Sequence, residues 1–389
     1  MTRGALAATL AGALVLPAAA SALPAIHAHR GAPLRDGVPA TPEDTLPAFA
    51  EAATVAGVWL EMDAVVTADG VPFVLHDSTL NRTTNCTGVV RQKTAAEIDR
   101  CRVDVLGVSD TLVTAPEPVP VPRLSEVLAF AKAAGRPVNV EIKRIPGDPG
   151  YVPGDTSFAA AVTDVVKAAG LDRRDVIIQS FDPTNLDVAA QRMPGVQTSF
   201  LTLAGLDAVG LIVAAARGYS WISPGGVPDA GLVAAAHGAG IKVVPYTLDT
   251  EADVRAAAAA GVDAVITNDL PVAHRALGLA VPQLTTPGTA SLAVASRSQR
   301  GVLALRGIAV VVRAPTGSVA RVRALRGRTV VASGRARVAA TGLARVRIPL
   351  TRAGRRTLRR SGAARLTVRA TISAPGAAPV ALRVSRRLR

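Results

Sequence analysis

The sequence predicts an α/β protein: a closed (β/α)8 TIM barrel with an insertion after its second strand, followed by a small all-β sandwich. Three observations lead there. Short β-branched or apolar runs alternate with Ala-rich helical stretches across residues 26–270, the rhythm of repeated βα units. The runs are continuously apolar, as strands covered on both faces require. Acidic, basic and histidine residues fall near the C-terminal ends of different strands, and a barrel gathers those ends into one mouth. A doubly wound open sheet is the alternative, and it would spread them apart.

The chain begins Met1-Thr2-Arg3, runs mostly apolar through Ala5–Ala20 and meets Ala20-Ser21-Ala22. A positive start, an apolar run and small residues at a cleavage site predict a signal peptide over residues 1–22 and a secreted, extracellular protein. The run is too short and Ala-rich for a membrane span. Residues 23–280 then carry the barrel. Its predicted strands are Ala25–Ala28, Val58–Asp63, Val138–Ile142, Val176–Ser180, Val196–Leu201, Trp221–Ser223, Val243–Leu248 and Ala264–Thr267. Predicted helices include Thr45–Ala56, Leu124–Ala134, Ser157–Ala169, Leu186–Arg192, Leu206–Ala215, Pro228–Ala239 and Glu251–Ala259, several ending at glycine as left-handed caps favour. Val71–Leu75 reads as a hairpin return from the second strand.

Residues 78–122 break the rhythm and hold Cys86 and Cys101. Long insertions at a barrel mouth shape pockets. In an exported protein the two cysteines predict a disulfide, and closing that loop is worth about 3 kcal/mol on the chain-entropy model. Two separate buried thiols are the alternative. Two cysteines exclude both a cysteine-dense scaffold and a four-cysteine zinc site.

The strand ends carry the candidate chemistry. His29 closes the first strand and His76 the hairpin; imidazoles titrate near neutrality and suit acid and base work, although either could be a structural hydrogen-bonded residue. His27 lies deeper in its strand and reads as a packing or supporting residue. His237 and His274 read as surface or cap residues. Glu61 and Asp63 alternate on one strand face, and Glu141 repeats the pattern on the next strand. Like charges resist sharing a site without a cation, so these acids offer oxygen ligands for Ca²⁺ or Mg²⁺. Arg30 and Lys143 add a clamp for phosphate.

Taken as an ordered set these residues resemble the glycerophosphodiester phosphodiesterase family. The stretches are His29-Arg30-Gly31 with Pro42-Glu43-Asp44-Thr45; Glu61-Met62-Asp63 through Asp69-Gly70 and His76-Asp77 to Arg82-Thr83-Thr84; Glu141-Ile142-Lys143; and Gly261-Val262-Asp263 through Asn268-Asp269-Leu270-Pro271. The resemblance implies a TIM barrel with a small insertion. It implies His29 and His76 as catalytic acid and base, a divalent cation on Glu61, Asp63 and Glu141, phosphate on Arg30 and Lys143, and Glu43 as a further active-site residue. The substrate would be a small glycerophosphodiester or phospholipid head group, cleaved to an alcohol and sn-glycerol 3-phosphate by a neighbouring hydroxyl or by water. Departures fall at Asp44 and Asp249, where the family has Asn, at Tyr246, where it has Trp, and at Arg144. Sphingomyelinase D-like or other phospholipase D-type chemistry is the nearest alternative. A non-catalytic protein that binds a cell-surface polymer is the alternative of a different class.

The net charge of +15 is misleading as a whole-chain property. Residues 281–389 hold 23 Arg and no Lys, Asp or Glu, which leaves residues 1–280 at −8. Alternation such as Ala344-Arg345-Val346-Arg347-Ile348 predicts Arg-faced strands of an antiparallel sandwich, at Gly301–Val312, Ser318–Arg323, Arg328–Val331, Thr341–Pro349 and Leu366–Ala374, with a helical crossing or long loop over Leu350–Arg360. The Arg face predicts retention at an anionic cell-wall or membrane surface. Missing aromatic platforms argue against nucleic acid. The sequence is silent on oligomeric state.

Overall fold

The computed structural model describes residues 23–389 except 109–110, 204, 283, 285–290, 297, 315–317, 339–342, 361–363, 374–379 and 389. The predicted signal peptide lies outside the described residues. Eight parallel strands form the first unit: β1 (Ala25–Ala28), β2 (Trp59–Val66), β3 (Val138–Ile142), β4 (Val176–Ser180), β5 (Gln197–Thr202), β6 (Trp221–Pro224), β7 (Lys242–Val243) and β8 (Ala264–Thr267). They pair in the order β7-β6-β5-β4-β3-β2-β1-β8. Backbone bonds from Asp263 to Val243 (3.0 Å), from Ile266 to Pro245 (2.9 Å) and from Leu248 to Ile266 (2.9 Å) bridge the last seam. The open-sheet alternative is therefore excluded.

Helices alternate with the strands: α1 (Leu46–Ala52), α2 (Leu124–Ala133), α3 (Ser157–Ala169), α4 (Pro183–Arg192), α5 (Ala208–Ala216), α6 (Ala230–Gly238), α7 (Glu251–Ala260) and α8 (Leu270–Ala276). Strand alternation sorts the side chains. Leu60, Met62, Ala64, Val138, Val140 and Ile142 face the helices and join the main core. Glu61, Asp63, Asn139 and Glu141 take the other face and are buried in the barrel interior. At the N-terminal end of the barrel, His27 stacks on Trp59 with centroids 5.0 Å apart, and Ile177, Trp221, Val244 and Ile266 close a small second cluster.

The predicted strand Val243–Leu248 is cut short. Pro245 has no N–H to give to a ladder, so regular pairing stops and Val244–Leu248 continues irregularly. Helix α8 escaped the sequence reading because it is short and begins Leu270-Pro271. Its signal was Asp269, whose side chain caps the helix by accepting from Val272 N–H at 3.2 Å. His274 sits on that helix and is buried, bonding the Ala280 carbonyl at 2.8 Å, so it is not a surface residue.

The insertion contains a short helix, Ala95–Ile98, a hairpin, Arg102–Leu106 with Val113–Pro120, and a disulfide between Cys86 and Cys101. Val113 and Leu106 pack against Val311 and Ala295 of the C-terminal region, and Arg386 Nη1 donates to Thr114 Oγ1 at 2.6 Å.

That region holds β9 (Ser291–Val294), β10 (Gly307–Arg313), β11 (Val319–Arg326), β12 (Thr329–Arg337), β13 (Leu343–Pro349), β14 (Ala364–Ser373) and β15 (Val380–Leu388). They form two antiparallel sheets, β9-β10-β13 and β12-β11-β14-β15. Val310, Val312 and Ile348 of the first share one core with Val322, Leu366 and Val368 of the second. Two helices qualify the all-β reading. Arg352–Arg359 realises the predicted crossing, and Gly354 lets it lie on β12, where a Cβ would stand 2.0 Å from the Val331 carbonyl oxygen. Gln299–Ala304 replaces the first half of the predicted strand Gly301–Val312, because Ser298 caps a helix by accepting from Gly301 N–H at 3.0 Å. Strands β9 and β15 were not predicted.

Candidate active site

The register of β2, β3 and β4 assembles the site. Asp63 pairs with Glu141, and Glu141 with Gln179, so residues far apart in sequence point inward side by side. Ligand oxygens of Glu61, Asp63 and Glu141 all lie within 4.8 Å of one another, and all three residues are buried. Gln179 Nε2 donates to Glu61 Oε1 at 2.8 Å and is itself held by Asn139 Nδ2 at 2.9 Å. Asn139 reaches on to His27 Nδ1 at 3.4 Å, which makes His27 a support beneath the site.

After β1 the backbone turns sharply. Arg30 and Gly31 take φ of 52° and 80°. Gly31 is needed twice, because a Cβ would also stand 2.7 Å from Ala48 Cβ. The turn aims Arg30 N–H at Glu61 Oε2 (2.9 Å) and the guanidinium at Asp63 Oδ2 (3.0 Å) and Glu43 Oε1 (3.3 Å). Lys143 Nζ stands 3.0 Å from Glu141 Oε1 and 3.7 Å from Asp63 Oδ1. Neither Asp63 oxygen nor Glu141 Oε1 has a hydrogen-bond partner, although these ion pairs surround them.

The charges are unequally relieved. Burial, then Asp63 and Glu141, push Glu61 well above the usual carboxylate range. Burial likewise raises Glu141 to about 7, against the pull of Lys143. Burial would raise Asp63 too, but Lys143 and Arg30 overcome it and hold the group well below its ordinary value. An all-oxygen set of three buried, mutually repelling carboxylates fits a hard divalent cation, Ca²⁺ or Mg²⁺, and lacks the soft ligands that select zinc.

Both predicted histidines line one cleft of about 480 Å³, together with Arg30, Glu141, Lys143, Phe181, Tyr246 and residues 77–79. Each has its Nδ1 engaged. His29 Nδ1 lies 2.7 Å from Asn268 Oδ1, and His76 Nδ1 lies 2.6 Å from Asp77 Oδ1. The Asn268 oxygen is identified by its neighbour, since Asn268 Nδ2 donates to Asp249 Oδ2 at 2.7 Å. His29 must therefore donate from Nδ1, which leaves Nε2 of the neutral ring unprotonated. Burial and then Arg30 lower the pKa of both rings, His29 well below the usual imidazole range. Only His76 has a carboxylate directly on its ring, and that bond favours its protonated form.

Sequence reasoning placed Glu43 in the site with no stated contact. It is buried and bridges Arg30 to Arg82, whose Nη2 reaches Glu43 Oε1 at 2.6 Å. Arg82 also donates through Nε to Asp77 Oδ2 at 2.7 Å, so one arginine orients the partner of His76. The supporting residues were given no role from sequence: Arg82 and Asn268 stood only as motif positions and Asp249 only as a departure from the family. Asn268 follows β8 directly, and the rule that functional groups sit at strand ends was the signal available for it.

The barrel and its mouth define the class, a (β/α)8 protein equipped for phosphoester chemistry. Comparison with known proteins makes it particular. A model of the glycerophosphoryl diester phosphodiesterase family matches residues 29–271. A glycerophosphodiester phosphodiesterase of Caldanaerobacter subterraneus subsp. tengcongensis is 30% identical over 233 residues, covering 59% of this chain and 89% of that one. A solved structure from Silicibacter pomeroyi superimposes with a TM-score of 0.58 at 28% identity, covering 68% of this chain and 97% of that one. An Oleispira antarctica phosphodiesterase, solved with the product sn-glycerol-3-phosphate, shares the fold at 21% identity and a TM-score of 0.54, over 66% of this chain and 97% of its own. The chain belongs to the glycerophosphoryl diester phosphodiesterase family.

Proposed function

We propose that the chain hydrolyses glycerophosphodiesters to an alcohol and sn-glycerol 3-phosphate, with His29 as general base and His76 as general acid. The observation that carries this is the shared cleft, lined by both imidazoles, Arg30, Lys143 and Glu141, the last of which belongs to the buried carboxylate triad. Arg30 and Lys143 bind the phosphate oxygens and hold the phosphorus between the rings. His29 Nε2 takes the proton of the attacking oxygen as the new P–O bond forms; water gives glycerol 3-phosphate directly, whereas the neighbouring glycerol hydroxyl gives a cyclic phosphate that water opens to glycerol 3-phosphate in a second step. His76 Nε2 gives its proton to the departing alcohol oxygen as the old P–O bond breaks. The amide partner of His29 and the carboxylate partner of His76 favour this assignment over the reverse. Glu61, Asp63 and Glu141 would hold a divalent cation, which supplies Lewis-acid charge for the phosphoryl oxygens.

The apolar run before Ala20-Ser21-Ala22 is read as an export signal, and the Cys86–Cys101 disulfide supports that reading. Turnover of glycerophosphocholine, followed by glycerol 3-phosphate release with and without chelator, tests the activity. His29→Ala and His76→Ala should each lose at least about 100-fold in kcat. Unchanged turnover in both variants and with chelator rejects the proposal.

A further inference from the structure

The sheet β12-β11-β14-β15 presents two chemically opposite faces. Ala320, Val322 and Ala324 of β11, with Leu366, Val368 and Ala370 of β14, point into the core. The intervening residues point outward, and the ladder sets their arginines side by side. Arg321 stands opposite Arg335, Arg323 opposite Arg369, Arg369 opposite Arg383, and Arg365 opposite Arg387. All seven arginines are exposed, and Ser333, Thr367, Thr371 and Ser385 fill places between them.

Like charges directly opposite on neighbouring strands destabilise a sheet. A protein sheet usually relieves such pairs with cross-strand acids. Here none is at hand, because residues 281–389 contain no Asp or Glu. None of the seven makes an ion pair among the described residues. The face is therefore open to an anion from outside the chain.

The geometry also narrows the source. Strands lie about 4.8 Å apart and same-face residues about 6.8 Å apart along a strand, so the guanidinium groups form a two-dimensional array. A single linear polyanion can follow one row of such an array at a time, whereas a plane of phosphates meets every row. The guanidinium fork pairs bidentately with phosphate oxygens. Residues 281–389 also lack Phe, Trp and Tyr, which removes the stacking platforms that hold nucleic-acid bases.

We propose that this outer sheet face docks the protein on an anionic phospholipid bilayer, by guanidinium–phosphate contacts and without insertion of side chains. The surface is separate from the catalytic cleft, so the proposal stands whether or not the reaction assigned to that cleft is correct.

The test uses the full chain and a variant carrying Arg321→Gln, Arg323→Gln, Arg369→Gln and Arg383→Gln. Co-sedimentation is measured with phosphatidylglycerol–phosphatidylcholine vesicles and with pure phosphatidylcholine vesicles. Neutral vesicles report any binding by other parts of the chain. The expected result is preference for the anionic vesicles, loss of binding as salt rises towards about 1 M, and a drop of roughly two to three orders of magnitude in partition for the variant. The variant should keep its turnover of a soluble diester and melt no lower than the parent, because the substitutions relieve repulsion. Equal binding of parent and variant to anionic vesicles overturns the proposal, as does failure to prefer them over neutral ones. If soluble polyphosphate or duplex DNA at equal phosphate concentration strips the protein from the vesicles, the occupant is a linear polyanion and the bilayer assignment fails.

Discussion

Exchanging the side chains at positions 249 and 268 tests how the His29 tautomer is set. Asp249 accepts three bonds: Asn268 N–H on Oδ1 at 2.8 Å, Thr267 hydroxyl on Oδ1 at 3.2 Å, and Asn268 Nδ2 on Oδ2 at 2.7 Å. The last bond turns the Asn268 oxygen toward His29. In Asp249→Asn, the new Oδ1 must stay with the backbone N–H, so the new amide nitrogen faces Asn268 Nδ2. Two donors cannot share that contact, and the Asn268 amide turns over. Its NH₂ then faces His29 Nδ1, forces the ring proton to Nε2 and removes the base. Loss of one general base costs about 10²- to 10⁴-fold, or roughly 3–5 kcal/mol of barrier. The double exchange Asp249→Asn with Asn268→Asp repairs every contact. The carboxylate introduced at position 268 would accept from His29 and from the amide nitrogen introduced at position 249, and the amide oxygen at 249 would keep the backbone bond. Steady-state kcat/KM for glycerophosphocholine is the assay. The single variant should fall by at least about 100-fold and the exchange should recover most of it. A single variant within about threefold of the parent, or an exchange no better than the single, refutes the tautomer argument.

The remaining predictions concern metal, pH and the insertion. Adding Ca²⁺ or Mg²⁺ at about 100 times its Kd should stabilise the protein by about 2.7 kcal/mol, read as a rise in Tm. Glu61→Gln with Glu141→Gln should abolish that rise, and a metal response that survives in this variant places the ion elsewhere. Both histidine pKa values lie below 6.5, so the base must be neutral above the His29 value and the acid charged below the His76 value. The pH profile of kcat/KM should therefore peak below 6.5 and fall on both sides. Asp77→Asn removes a carboxylate that favours charged His76, so its alkaline limb should move to lower pH; an upward move contradicts the assignment. Cys86→Ser with Cys101→Ser removes a cross-link spanning 15 positions, and should lower stability in denaturant titration by up to about 3 kcal/mol.

Strand and helix periodicity located most of the barrel from sequence, because burial on both faces leaves continuous apolar runs. Ser157–Ala169, Val138–Ile142 and Ala264–Thr267 were predicted with the bounds that the structure shows. Predictions failed where local chemistry outweighed pattern: at Pro245 within a strand, at Ser298 starting a helix, and at the Asp269-capped α8. The residues at the centre of the site were legible because period-two alternation puts Glu61 and Asp63 on one face.

Their supports were not legible, since contacts such as Arg82 to Glu43, 39 positions apart, and His29 to Asn268, 239 positions apart, leave no local trace. The sequence by itself determined the residue types at each strand end, the separation into an acidic body and a basic appendage, and the alternation of Arg with apolar residues. Only the tertiary structure decided which oxygen faces each histidine and which arginines stand opposite one another. Those are matters of register and barrel closure, and register is set by pairing between strands rather than within any one of them.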